Sequence, residues 1–230
     1  MERLLNVAEM LDRPSRAIGK IGSWFILPLI GIIMFDVITR KIDFFRIALA
    51  EANIAWFNPN IFQDSEWHLH AILLFTSFGF GYLMNSHVRV DIFRELLVKR
   101  KQAWIELIGL TLMAIPYLLI ITYFAYVFVA LSFHQGEGSE SMTGIGMRYI
   151  IKSVMVLGFI SLLAALLSTW MRLFVFLFGD DDVRDKAAGV ITVFATDDLL
   201  VDPEVLAEVF DLDESELEKL KAKKSDGGSK

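Results

Sequence analysis

The sequence predicts an all-α membrane protein with four transmembrane helices. Amphipathic interfacial helices are expected at the N-terminus and between helices two and three, and both termini are expected in the cytoplasm. The first observation is composition: 55% of the residues are hydrophobic and the mean hydropathy is +0.51, whereas soluble domains contain about 45–50% apolar residues. The second is four apolar runs, at residues 21–38, 67–84, 105–133 and 150–178, close to the roughly 20 residues that cross a bilayer.

The absence of cysteine and the distribution of charge exclude several classes of protein. With no cysteine, disulfides, thiolate metal sites and thiol redox chemistry are excluded. Residues 180–230 contain 15 acidic and 7 basic residues, so an acidic, partly helical or disordered cytoplasmic tail follows a transmembrane domain at 15–179. No basic stripe indicates a nucleic-acid partner.

Lysine and arginine in the short connections predict the orientation, because they are enriched on the cytoplasmic side. The connection at 134–147 has neither residue. Four bases precede the first span: Arg3, Arg13, Arg16 and Lys20. Five lie between the second and third spans: Arg89, Arg94, Lys99, Arg100 and Lys101. The N-terminus, the 85–102 connection and the tail are therefore expected in the cytoplasm.

Residues 1–14 precede the first span and have a helical pattern of apolar residues. Leu4, Val7 and Leu11 recur at helical spacing and Pro14 follows, which predicts a short interfacial helix that ends at the proline. The first span is too long for the apolar core of a signal peptide, and we expect it to remain as an anchor. Pro116 predicts a kink in the third span.

The charged residues within the spans are few. Asp36, Arg40, Glu106 and Arg172 all lie near span ends, where long side chains are expected to reach the interface. No catalytic set, phosphate-binding loop or mid-membrane carboxylate pair is recognisable, which favours a scaffold over an enzyme or a complete transporter.

The fourth span contains a strip of small side chains at three- and four-residue spacing. The strip consists of Gly158, Ser161, Ala165 and Ser168. Small residues allow helices to approach closely in lipid. The strip is therefore expected to face either another helix of this chain or a partner subunit.

Four histidines raise the possibility of a haem between helices. His134 and one of His68 or His70 are candidate ligands across two helices, and His87 lies at the opposite membrane face. Interfacial histidine is the commoner explanation, and we expect no metal and no cofactor. An independent membrane protein, such as a b-type cytochrome or an anchor, remains an alternative.

The connection after the second span reads HVRVDIF at 87–93, in which Asp91 is a suitable N-cap for an amphipathic interfacial helix. In this position the run resembles the signature of the DctQ-like small membrane subunit of tripartite ATP-independent periplasmic (TRAP) transporters. Arg40 at the end of the first span, Glu66 before the second, and the polar run EGSES at 137–141 are similar to features of the same family.

The resemblance implies a multi-pass subunit of the bacterial inner membrane that acts with two partners. These are a large multi-span membrane subunit and a periplasmic substrate-binding protein. The small subunit braces the large one during sodium-coupled uptake of an organic acid, such as a dicarboxylate, keto acid or sugar acid. The resemblance also implies that this chain has no catalytic and no substrate-binding residue.

The resemblance also implies roles for individual residues. Arg40 and Glu66 are expected to pair at one membrane face. The inner turn is expected to be ordered by His87, Arg89 and Asp91. Contacts with the binding protein are expected from Glu137, Glu140 and Arg148.

Overall fold

The computed structural model describes residues 1–42, 47, 59–86, 99–139, 144–180, 183–184, 186–187 and 191, and the regular elements among them are helical. These elements are α1 (Glu2–Ser23), α2 (Ile26–Lys41), α3 (Pro59–Leu83), α4 (Lys99–Gly109), a π-helical turn (Leu110–Ala114), α5 (Ile115–His134) and α6 (Arg148–Phe178). The chain divides into two units, residues 1–191 and 192–230. The second unit lies outside the described residues.

Among the residues that the structure describes, three helical stretches are long and apolar enough to cross a membrane: Glu2–Lys41, Lys99–His134 and Arg148–Phe178. They contain the first, third and fourth predicted spans. The second predicted span lies in α3, which has 25 residues and so a length of about 37 Å. α3 is not among the three stretches, since His68, His70 and several serine, threonine and glycine residues lower its hydropathy.

The first helix does not end at Pro14, contrary to the sequence prediction. α1 continues through this proline to Ser23. The break comes at Trp24 and Phe25, four and three residues before Pro28. A proline inside a helix lacks an N–H and its ring meets the carbonyl four residues earlier, which accounts for the break near Trp24. At Pro14 the helix persists because residues on both sides of it are buried.

One face of α1 is buried against α3 and α6. It consists of Ala8, Asp12, Ser15, Gly19 and Gly22. A Cβ added at Gly19 would overlap the side chain of Phe80, and one at Gly22 would overlap Thr76. The predicted separate surface helix therefore packs along the bundle over most of its length.

α1, α3 and α6 meet at Ser161. Ser15 Oγ donates a hydrogen bond of 3.0 Å to the Ser161 carbonyl oxygen. A Cβ added at Gly79 of α3 would lie 2.8 Å from the same oxygen. One turn earlier, a Cβ at Gly158 would lie 2.5 Å from the Phe75 carbonyl oxygen. We call this contact of three helices the Ser161 junction.

The strip of small residues on α6 is therefore covered by helices of this chain. Gly158, Ser161, Ala165 and Ser168 are all buried. Ser168 Oγ donates to the Ala8 carbonyl oxygen at 3.1 Å. Of the two alternatives that the sequence left open, the described residues form the first, packing within the chain.

The sequence predicted that Arg172 extends to an interface. In the structure it is instead buried inside the bundle. Its side chain donates to the carboxylate of Asp12, and the residues are 5% and 3% exposed. Arg16 lies 4.0 Å from the same carboxylate oxygen, with 43% of its side chain exposed. The prediction failed because an acidic partner on α1 was not recognised.

The helical stretch Lys99–His134, which contains the third predicted span, includes a local change of helical geometry. Five residues, Leu110–Ala114, form a π-helical turn that ends two residues before Pro116. The missing N–H of the proline prevents a regular bond to residue 112, and π-helical turns accommodate such irregularities. Thr111 in this turn accepts a 2.8 Å hydrogen bond from Trp170 Nε1 of α6.

Residues that follow α6 pack in the first unit. Arg184 Nε donates to the Phe176 carbonyl oxygen at 3.2 Å, and Ala187 and Ile191 are buried. Lys186 Nζ lies 3.4 Å from Glu2 of α1. The sequence prediction had placed these residues in the acidic tail.

The Ser161 junction predicts that Gly79→Ala lowers stability. The added Cβ meets a backbone oxygen that cannot move independently of α6, and such overpacking costs about 1–3 kcal/mol. The matched control is Gly81→Ala, two residues further along α3, where nothing lies within 4 Å of the added Cβ. The thermal unfolding midpoint of the purified chain in detergent should fall for Gly79→Ala only; equal midpoints for the two variants would contradict the junction.

The buried ion pair predicts a large loss of stability when one partner is removed. Asp12→Ala leaves Arg172 as an unpaired buried charge, and Arg172→Ala leaves the buried Asp12 with only the partly exposed Arg16 at 4.0 Å. Loss of a buried partner costs about 3–5 kcal/mol. Arg16→Ala removes a partly exposed contact, for which about 0–1 kcal/mol is expected. The same unfolding measurement on the double variant Asp12→Leu, Arg172→Met should recover much of the loss. A double variant as unstable as the sum of the single changes would be inconsistent with the pair.

Candidate functional site

A pocket of about 610 Å³ lies between the first turns of α3 and α6 and the connection that joins α5 to α6. We call it the loop pocket. Its apolar wall consists of Trp67, Ala71 and Ile151, and Asn60, Gln63 and Ser139 contribute neutral polar groups. Its ionisable residues are Asp64, His68, Arg148 and Lys152.

Asp64 connects α3 to the α5–α6 connection. Its Oδ2 accepts hydrogen bonds from Ser139 Oγ at 2.7 Å and from the Ile145 N–H at 2.8 Å. The ring of His68, one turn later on α3, contacts the Asp64 main-chain carbonyl through Nδ1. One carboxylate therefore holds both ends of the segment between residues 139 and 145.

Gly144 allows the connection to approach Asp64. A Cβ at this position would overlap Ser139 and the Asp64 carboxylate. At Gly146, two residues later, nothing lies within 4 Å of an added Cβ. The close approach thus depends on the first of these glycines.

Glu137 connects the same segment to α5 and α6. Its Oε2 accepts a 2.6 Å hydrogen bond from Ser132 Oγ and forms an ion pair with Lys152. Its main-chain oxygen accepts from the Arg148 N–H at 3.2 Å. The Lys152 ammonium also lies 3.9 Å from the centre of the Phe128 ring, a distance suited to a cation–π interaction.

Both carboxylates lie outside the predicted spans and have shifted pKa values. Burial raises the pKa of Asp64, but the hydrogen bonds from Ser139 and Ile145, with Arg148 and His68 nearby, bring that pKa below its usual 3.8. For Glu137, hydrogen bonds from Lys152 and Ser132 hold the pKa below 4.5, despite some desolvation. Both groups are therefore charged at neutral pH.

The comparison with known families identifies the class of this helical chain. A sequence model described as tripartite ATP-independent periplasmic transporters, DctQ component, matches residues 29–176. The chain belongs to this family. No curated protein and no solved structure gave a match.

DctQ proteins are small membrane subunits of TRAP transporters, so the chain is a transporter component of a family that is not enzymatic in general. The match begins at Leu29. The matched range therefore contains Arg40, Glu66 and the loop pocket. It does not include α1, which contributes Asp12 to the ion pair with Arg172.

The expected pair of Arg40 and Glu66 is not the pairing that the structure shows. Arg40 Nε lies 2.8 Å from Asp36 Oδ2, one turn earlier in α2. This local pair forms because residues four apart lie on the same face of a helix. The arginine side chain is 52% exposed.

The other predicted site residues fall into two groups. Glu137 and Arg148 lie at or beside the loop pocket. Four predicted residues, His87, Arg89, Asp91 and Glu140, lie outside the described residues, and their roles stay predictions. Sequence reasoning missed Asp64, Gly144 and Lys152. Asp64 and Lys152 are charged residues near the starts of two predicted spans, a signal that the sequence offered. Their partners, however, depend on how the α5–α6 connection folds.

Acidification is expected to weaken the contacts of Asp64 with Ser139 and Ile145 and those of Glu137 with Ser132 and Lys152. Because the folded-state pKa values of Asp64 and Glu137 are lowered, their contribution to stability is present above the unfolded values and is lost as the pH falls through the folded values. The unfolding midpoint of the wild-type chain should therefore decrease from about pH 4.5 downward.

Asp64→Asn is the control that isolates one carboxylate in this experiment. It should start with a lower midpoint at about pH 7 and lose less between about pH 4.5 and pH 3 than the wild type. Parallel curves for the two proteins over this interval would show that Asp64 does not act as described.

Proposed function

We propose that this chain is the small subunit that braces the large membrane subunit of a TRAP transporter in the bacterial inner membrane. The observation that carries the proposal is the DctQ match over residues 29–176. On this proposal the transporter takes up an organic acid together with sodium. The chain itself contributes rigid structure and part of the surface on which the periplasmic binding protein docks.

The packing of the helices supports the brace. At the Ser161 junction the backbones of α3 and α6 approach closely at glycines, the Ser15 hydroxyl of α1 donates to the Ser161 carbonyl oxygen, and the Asp12–Arg172 pair connects α1 to α6. Interfaces made of small residues and internal hydrogen bonds are favourable in lipid because the backbones gain close contact. Such a unit keeps its shape when a neighbouring subunit moves against it.

The exposed surface of the bundle supports a large apolar partner. Several large side chains of α5 are more than half exposed, among them Tyr117, Ile120, Tyr123, Phe124 and Tyr126. Only Leu118, Ala125 and Ser132 of this helix are buried. We propose that lipid and the large subunit share this surface.

We further propose that α3 is the fourth span and that both termini are cytoplasmic, as the distribution of lysine and arginine predicts. Four spans then place the α5–α6 connection and the loop pocket on the periplasmic side. Glu137 and Arg148, together with Glu140, are the candidate contacts for the binding protein.

Co-purification tests the brace directly. The full chain, tagged at its C-terminus, is extracted from its native membrane in mild detergent, and bound proteins are identified by mass spectrometry. We expect one much larger polytopic protein in an equimolar ratio. A chain that purifies alone, stable and monodisperse, would contradict the proposal, and a Soret absorbance in that sample would favour the cytochrome alternative.

A paired variant shows whether the Ser161 junction matters for assembly. Gly79→Ala should lower the yield of the large partner, because a distorted bundle no longer matches it. Gly81→Ala changes the same helix at an open position and should leave the yield unchanged.

A further inference from the structure

The loop pocket has the dimensions and the wall of a small-molecule site. Pockets that hold small ligands measure about 300–1,000 Å³ and combine apolar walls with a few polar groups. Here Trp67, 69% exposed, and Ile151 contribute apolar surface, while Arg148 and Lys152 contribute cationic groups that donate to anions.

The acidic groups at this place form hydrogen bonds within the protein. Asp64 accepts from Ser139 and the Ile145 N–H, and Glu137 accepts from Ser132 and Lys152. These contacts use the carboxylates to hold the wall of the pocket. They therefore organise the site. A cationic ligand would have to compete with these donors, and an anionic ligand would share Lys152 with Glu137.

The position of α6 adds a third feature that favours an anion. Arg148, Ile151 and Lys152 belong to the first turns of this 31-residue helix and line the pocket. The N-cap residue, Met147, provides no side-chain hydrogen bond to the helix. The N-terminus of a helix carries a partial positive charge that favours anions, so the helix and its basic side chains act in the same direction.

We propose that the loop pocket binds the carboxylate of a small organic acid, with the apolar body of the acid against Trp67 and Ile151. Carboxylates form strong charge-assisted hydrogen bonds with guanidinium and ammonium groups. The sequence had predicted no substrate-binding residue in this chain, so the site is a new assignment. Its ligand class rests on the proposed function, uptake of an organic acid.

Titration of the full chain in lipid nanodiscs tests the assignment. Isothermal titration calorimetry is carried out with succinate and with benzoate, and with succinamide and benzamide as neutral analogues. We expect saturable binding of at least one acid and none of its amide. Arg148→Gln should raise the Kd about tenfold or more, since it removes a charge-assisted hydrogen bond.

Two further variants separate the pocket from general effects of charge and folding. Ala71→Phe keeps every charge but fills the pocket, and it should also weaken binding of the acid about tenfold or more. Arg100→Gln removes an exposed arginine of α4 that does not line the pocket, and its Kd should equal that of the wild type. Thermal unfolding of each variant establishes that it is folded before titration.

The outcomes distinguish the two sources of a carboxylate. Absence of saturable binding, equal binding of acids and amides, or equal Kd values in Arg148→Gln and Arg100→Gln would overturn the proposal. If neither acid binds but the purified binding protein does, and Arg148→Gln abolishes that binding, the pocket holds an acidic side chain of the docking partner instead. The titration uses the chain alone, so it is independent of whether the large subunit co-purifies.

Discussion

The close approach of α1, α3 and α6 at Ser161 is the constraint on which the rest of the structure depends. Gly79 and Gly158 leave room for the carbonyl groups of neighbouring helices, and Ser15 donates to the carbonyl of Ser161. Packing of this kind compensates for the lack of a hydrophobic driving force between helices in lipid. Because α3 and α6 are held together at this level, their first turns are close enough to form the loop pocket.

The same constraint explains why α1 belongs to the bundle. Its buried face contains Asp12, a group that is costly to bury without a partner. Arg172 of α6 provides that partner, and Ser168 donates to the Ala8 carbonyl. These polar contacts supplement the packing of small residues, and they account for a helix that continues through Pro14. The residues that match the DctQ family begin after α1, so this helix adds to the part of the bundle that the family defines.

The sequence predicted the helical class, the family and the positions of three apolar stretches, because these follow from periodicity and from short motifs. It also identified the small strip of α6. It failed where the outcome depends on a contact between distant residues: Arg172 pairs with a residue 160 positions earlier, and the end of the first helix is determined near Pro28. The loop pocket was not predicted for the same reason, since Asp64 acquires its role only when residues 139 and 145 fold against it.

The measurement that tests the packing of α1 most directly is the accessibility of single introduced thiols in native membranes. The chain has no cysteine, so Ser15→Cys and Arg13→Cys can each be labelled without competing thiols. Ser15 is buried at the Ser161 junction and Arg13 lies on the exposed face of α1, so a water-soluble maleimide should label the thiol at position 13 and leave the thiol at position 15 unlabelled. Equal labelling of the two positions would show that α1 lies away from the bundle and would contradict the Ser161 junction.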